Sequence, residues 1–162
     1  MKITIRYWSL CLLFLSGVIL SCSETKEPSP LSFTKAFTGN DHLSWRAQFI
    51  VLRQVGKGDQ KFTLSSCESD DKYTFYAGPD RLYNVDDRGT ACTDGGTSYN
   101  VTDTWSYHTA TATLNIIVPP LADQQLPFFI RSISDSQMVL EIFLDQDNTS
   151  SYRIYFLATQ IK

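Results

Sequence analysis

Histidine is scarce in this 162-residue chain: His42 and His108 are the only two, and they stand apart. A zinc site needs four ligands, so neither isolated histidine makes one. General acid–base work wants a histidine or a tuned carboxylate pair. No Ser–His–Asp order with its glycine signature is present, and no phosphate-binding loop occurs. Catalysis is left without a named residue. The chain therefore reads as a non-enzyme with no cofactor and no metal. Basic residues are also outnumbered, with 14 Lys and Arg against 17 Asp and Glu. Nucleic acid selects basic patches, so it is excluded as a partner. Helical periodicity is missing throughout, and no internal repeat is visible.

Long apolar runs are absent as well. The longest lies within residues 8–20 and contains Ser9 and Ser16. Spanning a bilayer needs about 20 apolar residues. Lys2 and Arg6 precede the run, and Ile19-Leu20-Ser21-Cys22 closes it. A basic start, a short apolar segment and small residues make an export signal. The last four residues resemble a lipobox, whose obligatory cysteine receives a lipid, with Ile where Leu is more usual. The expectation is a lipoprotein signal peptide over 1–21 and a mature chain acylated at Cys22. Several acyl chains on one residue make a stable membrane anchor. Loss of Lys2 and Arg6 leaves twelve basic against seventeen acidic side chains, a net charge of −5. An acidic surface argues against direct adhesion to anionic lipid, so the membrane link is the N-terminal lipid.

Of the four cysteines, Cys11 falls within the signal and Cys22 carries the lipid. Cys67 and Cys92 remain, and an even count in an exported chain reads as a disulfide. Residues 22–37 form a polar stretch with Pro28 and Pro30, read as the lipidated N-terminus and a flexible tether. Glu24 and Glu27 in it resemble a sorting signal.

From Leu43 onward the pattern is period two bounded by turn residues. Strands are expected at 43–54, 60–65, 72–77, 81–86, 101–108, 111–118, 126–133, 137–144 and 151–161. Ser66 to Asp71 reads as a polar connection, and 86–98 as a long polar loop. Pro119-Pro120 ends one strand, because neither proline donates to a ladder. Short antiparallel strands in sequence order make a sandwich or an up-and-down barrel. Consecutive strands usually pair, and closure removes edges. The expected fold is all-β: a small antiparallel up-and-down β-barrel over residues 38–162.

The run Thr38-Gly39…Trp45, the stretch Ser66 to Phe75 with Cys92 after it, Trp105-Ser106-Tyr107, Leu114-Asn115-Ile116 and Ile133 to Glu141 resemble the lipocalin-like domains of Bacteroidetes-type lipoproteins. The resemblance spans roughly Thr38 to Ile161. It implies a lipocalin-like barrel at the outer membrane or cell surface. Lipocalins open with Gly-x-Trp at the barrel base, whereas Gly39 and Trp45 stand six apart here. The resemblance thus bears on the barrel more than on a ligand.

Trp45, Tyr73, Phe75, Trp105 and Tyr107 are the aromatics that alternation aims inward. They would line a cup for a small apolar or amphipathic ligand, or fill the core; an eight-stranded barrel has room for either. Glu68, Asp70 and Asp71 invite a hard cation, but the spacing and glycine of a calcium loop are missing, and a solvated turn is the simpler reading. The run Asp145 to Asn148 reads as a hairpin turn for the same reason. Of Phe128 and Phe129, period two sends one inward and leaves the other half covered. The function expected is a lipid-anchored envelope barrel that binds a small apolar or amphipathic ligand. The alternative is a filled barrel displayed as an accessory module, contacting an envelope protein through its loops.

Overall fold

The computed structural model describes residues 30–86 and 99–159. Helix α1 spans Pro30–Thr38, followed by β1 at His42–Gln54 and β2 at Gln60–Thr63. A short helix α2, Ser66–Ser69, leads into β3 at Lys72–Tyr76 and β4 at Leu82–Asp86. Then come β5 at Asn100–Thr104, β6 at Ser106–His108 and β7 at Thr113–Ile116. The described chain closes with β8 at Leu126–Ile133, β9 at Gln137–Phe143 and β10 at Ser150–Thr159.

All pairings are antiparallel, in the order β5-β4-β3-β1-β10-β9-β8-β7-β6, with β2 also on β1. The first half of β1 pairs with β3 and its second half with β2, so β2 and β3 are one strand interrupted by α2. Likewise β5 and β6 are one strand kinked at Trp105, pairing β4 with its first half and β7 with its second. The ten described strands thus make eight staves in sequence order. The last stave returns to the first, with Ser44 opposite Thr159 and Gln54 opposite Ser150. The result is a nearly closed up-and-down barrel, the fold class expected.

Alternation places the core. Ile154 and Phe156 of β10, Met138 and Leu140 of β9, and Phe128 of β8 are all at most 2% exposed and point to the barrel axis. Phe129 is half-buried outside, as period two requires. Two irregularities reset the alternation, one in β1 between Ala47 and Phe49 and one in β8 between Ile130 and Ser132. Trp45 and Ala47 face inward before the first; Ile50 and Leu52 do so after it.

Two segments differ from expectation. Residues up to 37 read as tether, yet the chain is helical from Pro30, and Phe37 is fully buried in the core. Proline suits the first turn of a helix, where its missing N–H has no partner to lose. Gly39 ends α1 with φ +65° and its N–H on the Lys35 carbonyl at 2.9 Å. That left-handed cap favours glycine, and an added Cβ would stand 3.2 Å from the His42 carbonyl oxygen. The connection at 66–71 holds α2, with Glu68 accepting from the Ser65 backbone N–H at 3.0 Å and so capping the helix.

Candidate functional site

The barrel has two unlike ends. At one, α1 acts as a plug. Phe37 meets Trp105 edge-on at 4.8 Å, Phe75 at 5.6 Å and Tyr107 at 6.4 Å. Trp45 on β1 donates its indole N–H to the Phe37 carbonyl at 2.9 Å, tying helix to wall. Trp105 donates to the Tyr76 carbonyl at 3.1 Å. Tyr73 packs on Phe156 at 5.3 Å, and Phe75 on Tyr83 at 4.8 Å. Burial pushes the Tyr73 hydroxyl well above its ordinary pKa, and the charge of Asp71 adds to this. Of the five aromatics proposed as ligand-lining, Trp45, Tyr73, Phe75 and Trp105 are at most 3% exposed. They make a packed floor. Tyr107 is half-buried, stacked on Phe33 of α1 at 5.4 Å.

The opposite end is built differently. Ile50 and Leu52 of β1 sit opposite Ile154 and Tyr152 of β10, and Tyr152 opposite Ile142 of β9. All face inward by period two. Yet while Ile154 is 1% exposed, Ile50, Leu52, Tyr152 and Ile142 are only half-buried. Phe62 of β2, opposite Ile50, is 46% exposed. These inward-facing apolar side chains, less covered than the core below them, form a rim at this end of the barrel. Sequence reasoning missed this rim. The apolar run Phe49 to Leu52 hides which residues face in, and only the irregularity after Ala47 assigns them.

The outer wall carries a third arrangement. Glu141 on β9 points outward with its side chain 2% exposed, surrounded by arginines. Arg153 Nε donates to it at 3.0 Å, Ser151 Oγ at 2.6 Å, and Arg131 Nε also donates. Arg53 Nη1 stands 4.0 Å away, while Arg53 Nε is paired with Asp59 at 3.4 Å. Burial pushes the Glu141 carboxyl up, but the hydrogen bonds from Ser151, Arg153 and Arg131 and the charge of Arg153 bring it below its ordinary value. A lowered folded-state pKa makes its contribution fully present above the ordinary carboxylate range and lost as pH falls from that range through the lowered folded value. Beside this cluster, Phe129 and Phe143 meet edge-on at 5.5 Å with the Arg131 guanidinium over both rings.

The remaining candidates lie apart. Cys67 is buried in α2, while Cys22 and Cys92 fall outside the described residues. His42 pairs with Asp41 at 2.9 Å on β1, and His108 is exposed on β6, which is not a neighbour of β1. Asp145 accepts from the Thr149 backbone N–H and hydroxyl, each at 2.7 Å, which closes the β9–β10 turn. No family model, curated protein or solved structure matches the chain.

Proposed function

We propose that the protein is an exported lipoprotein, anchored through Cys22 at the outer membrane or cell surface, whose barrel takes a small apolar or amphipathic molecule at its open mouth. The observation that carries this is the contrast in burial between the two ends. The helix-plugged end is dry, whereas Ile50, Leu52, Tyr152, Ile142 and Phe62 present an apolar rim to water. Apolar surface left partly exposed at the end of a barrel is a binding signal. A ligand would sit on the aromatic floor and not among it. The reading assigns no catalytic step and no cofactor.

Titration with N-phenyl-1-naphthylamine tests it. The wild type should brighten the dye saturably, and a long-chain fatty acid should displace it. Phe62→Glu and Leu52→Glu should weaken dye binding at least tenfold with the β-type circular dichroism kept. A dye that stays dark, or rim variants that bind as well as wild type, would overturn the ligand reading.

The packed floor favours a second reading, in which the barrel is filled and the protein is an accessory module contacting an envelope protein. Failure of the dye test would leave that one standing. Both readings share the anchor. Wild-type cells fed an alkynyl fatty acid should label the protein, and Cys22→Ala should abolish the label and release the chain from the membrane fraction. An unlabelled wild type would remove the anchor from both.

A further inference from the structure

The outer-wall cluster is over-supplied with positive charge. Arg53, Arg131 and Arg153 reach one carboxylate, and a cleft of ≈350 Å³ opens beside them, lined also by Lys57 and Asp59. Four cationic side chains therefore face two carboxylates, Glu141 and Asp59. This surplus sits on a chain whose overall balance is acidic. A guanidinium carries five N–H donors in a planar fork, and a carboxylate offers about four lone-pair sites. Glu141 spends one of its own on Ser151. Three guanidiniums thus keep most of their donors free of it. Their side chains remain 27–41% exposed while Glu141 is sealed at 2%. The buried carboxylate works as an internal counter-ion. It holds like charges together at the wall and leaves their outer edges for something else.

The strands fix the spacing. Arg53 lies opposite Ser151, and Arg153 opposite Glu141, on adjacent strands of the closed wall. Arg131 is placed by the irregularity in β8 and braced by Phe129 and Phe143. Asn148 and Thr149 of the β9–β10 turn add polar groups, and Phe143 adds an apolar side. The volume suits one small molecule.

We propose that this cleft binds an oxyanion, a carboxylate, sulfate or phosphate group on a molecule of about sugar size, through the forks of Arg53, Arg131 and Arg153 with Lys57 as a supporting charge. Bidentate recognition of such groups is what arginine does better than lysine. The site is separate from the barrel mouth and does not rest on a ligand there. The anion comes from a free solute or from the headgroup of an anionic lipid.

The test compares the full-length protein with Arg53→Gln/Lys57→Gln, which leaves the Arg131, Arg153 and Ser151 contacts to Glu141 in place. Inorganic sulfate, inorganic phosphate and galacturonate are titrated calorimetrically against chloride at matched ionic strength, since exposed charges respond to salt alone. Wild type should bind at least one of them in preference to chloride, and the variant should lose at least tenfold in affinity. In a second arm both proteins meet phosphatidylglycerol or phosphatidylcholine vesicles, and the wild type–variant difference cancels any contribution of an anchor. Binding of free anions identifies a solute site. A wild-type preference for phosphatidylglycerol lost in the variant, without binding of free anions, identifies a headgroup site. No preference for any oxyanion in either arm, or a variant equal to wild type, overturns the proposal.

Discussion

Trp105→Ala should lower the free energy of unfolding by about 3–5 kcal/mol, the range for emptying a large aromatic site in a core. The ring is 3% exposed and meets Phe37 edge-on at 4.8 Å. Its indole N–H is bonded to the Tyr76 carbonyl at 3.1 Å, which the alanine leaves without that donor. The Arg81 guanidinium also lies over the ring, 5.2 Å from its centroid. The position compounds the loss, because Trp105 is the corner at which one stave leaves β4 and joins β7. Equilibrium urea denaturation measures the change. A variant as stable as wild type would mean the ring is not core. Dye binding at the mouth should survive, since the floor ring lies below the rim; loss of binding with full stability would make Trp105 part of the cup.

Reduction should cost the folded protein about 3.5 kcal/mol on the chain-entropy model for a loop of this length. The expectation is a disulfide between Cys67 and Cys92, the two cysteines left once Cys11 goes with the expected signal and Cys22 is taken by the lipid. Cys67 is 8% exposed, with its sulfur 3.2 Å from the Ser65 hydroxyl at the start of α2. Alkylation of unfolded but unreduced protein, followed by mass measurement, should find neither thiol modified. Two modified thiols would sink the pairing. Cys67→Ser/Cys92→Ser should then melt at the lower stability of the reduced wild type.

What could be read before the fold depended on how far each signal extends along the chain. Strands such as β9 and β10 announce themselves within seven to ten residues, because Met138, Leu140 and Ile142 alternate with Val139, Glu141 and Phe143. The up-and-down order followed from short turns between such strands. Helix α1 was not legible: PLSFTKAFT has weak amphipathicity, and its place is secured by Phe37 entering a cluster of rings from β3, β6 and the kink at Trp105. The break at Trp105 was hidden too, since Val101, Trp105 and Tyr107 keep one parity across it, with Asp103 between them the one polar exception. The aromatics were correctly aimed inward, but whether an inward ring is floor or lining depends on its height in the barrel, and period two carries no height. The arginine cluster was the least visible. Arg53, Arg131, Glu141 and Arg153 come from four strands, and each alone looks like an ordinary outward polar residue.

The pairing of the first stave with the last sets an order of events. Thr159 Oγ1 donates to the Ser44 carbonyl across 115 positions. Closing a loop of that size is entropically unfavourable until the contacts along the seam repay it, and such non-local pairing slows folding. Until β10 is available, β1 has no partner along its β10-facing edge, and the cylinder cannot form. The nascent chain therefore keeps the seam open until β10 has been made. A chain whose closing strand has yet to be made stays threadable, which suits the export proposed above. It also means that trimming β10 would not shorten the barrel by one stave. It would leave β1 and β9 as two raw edges, prone to pair with other chains.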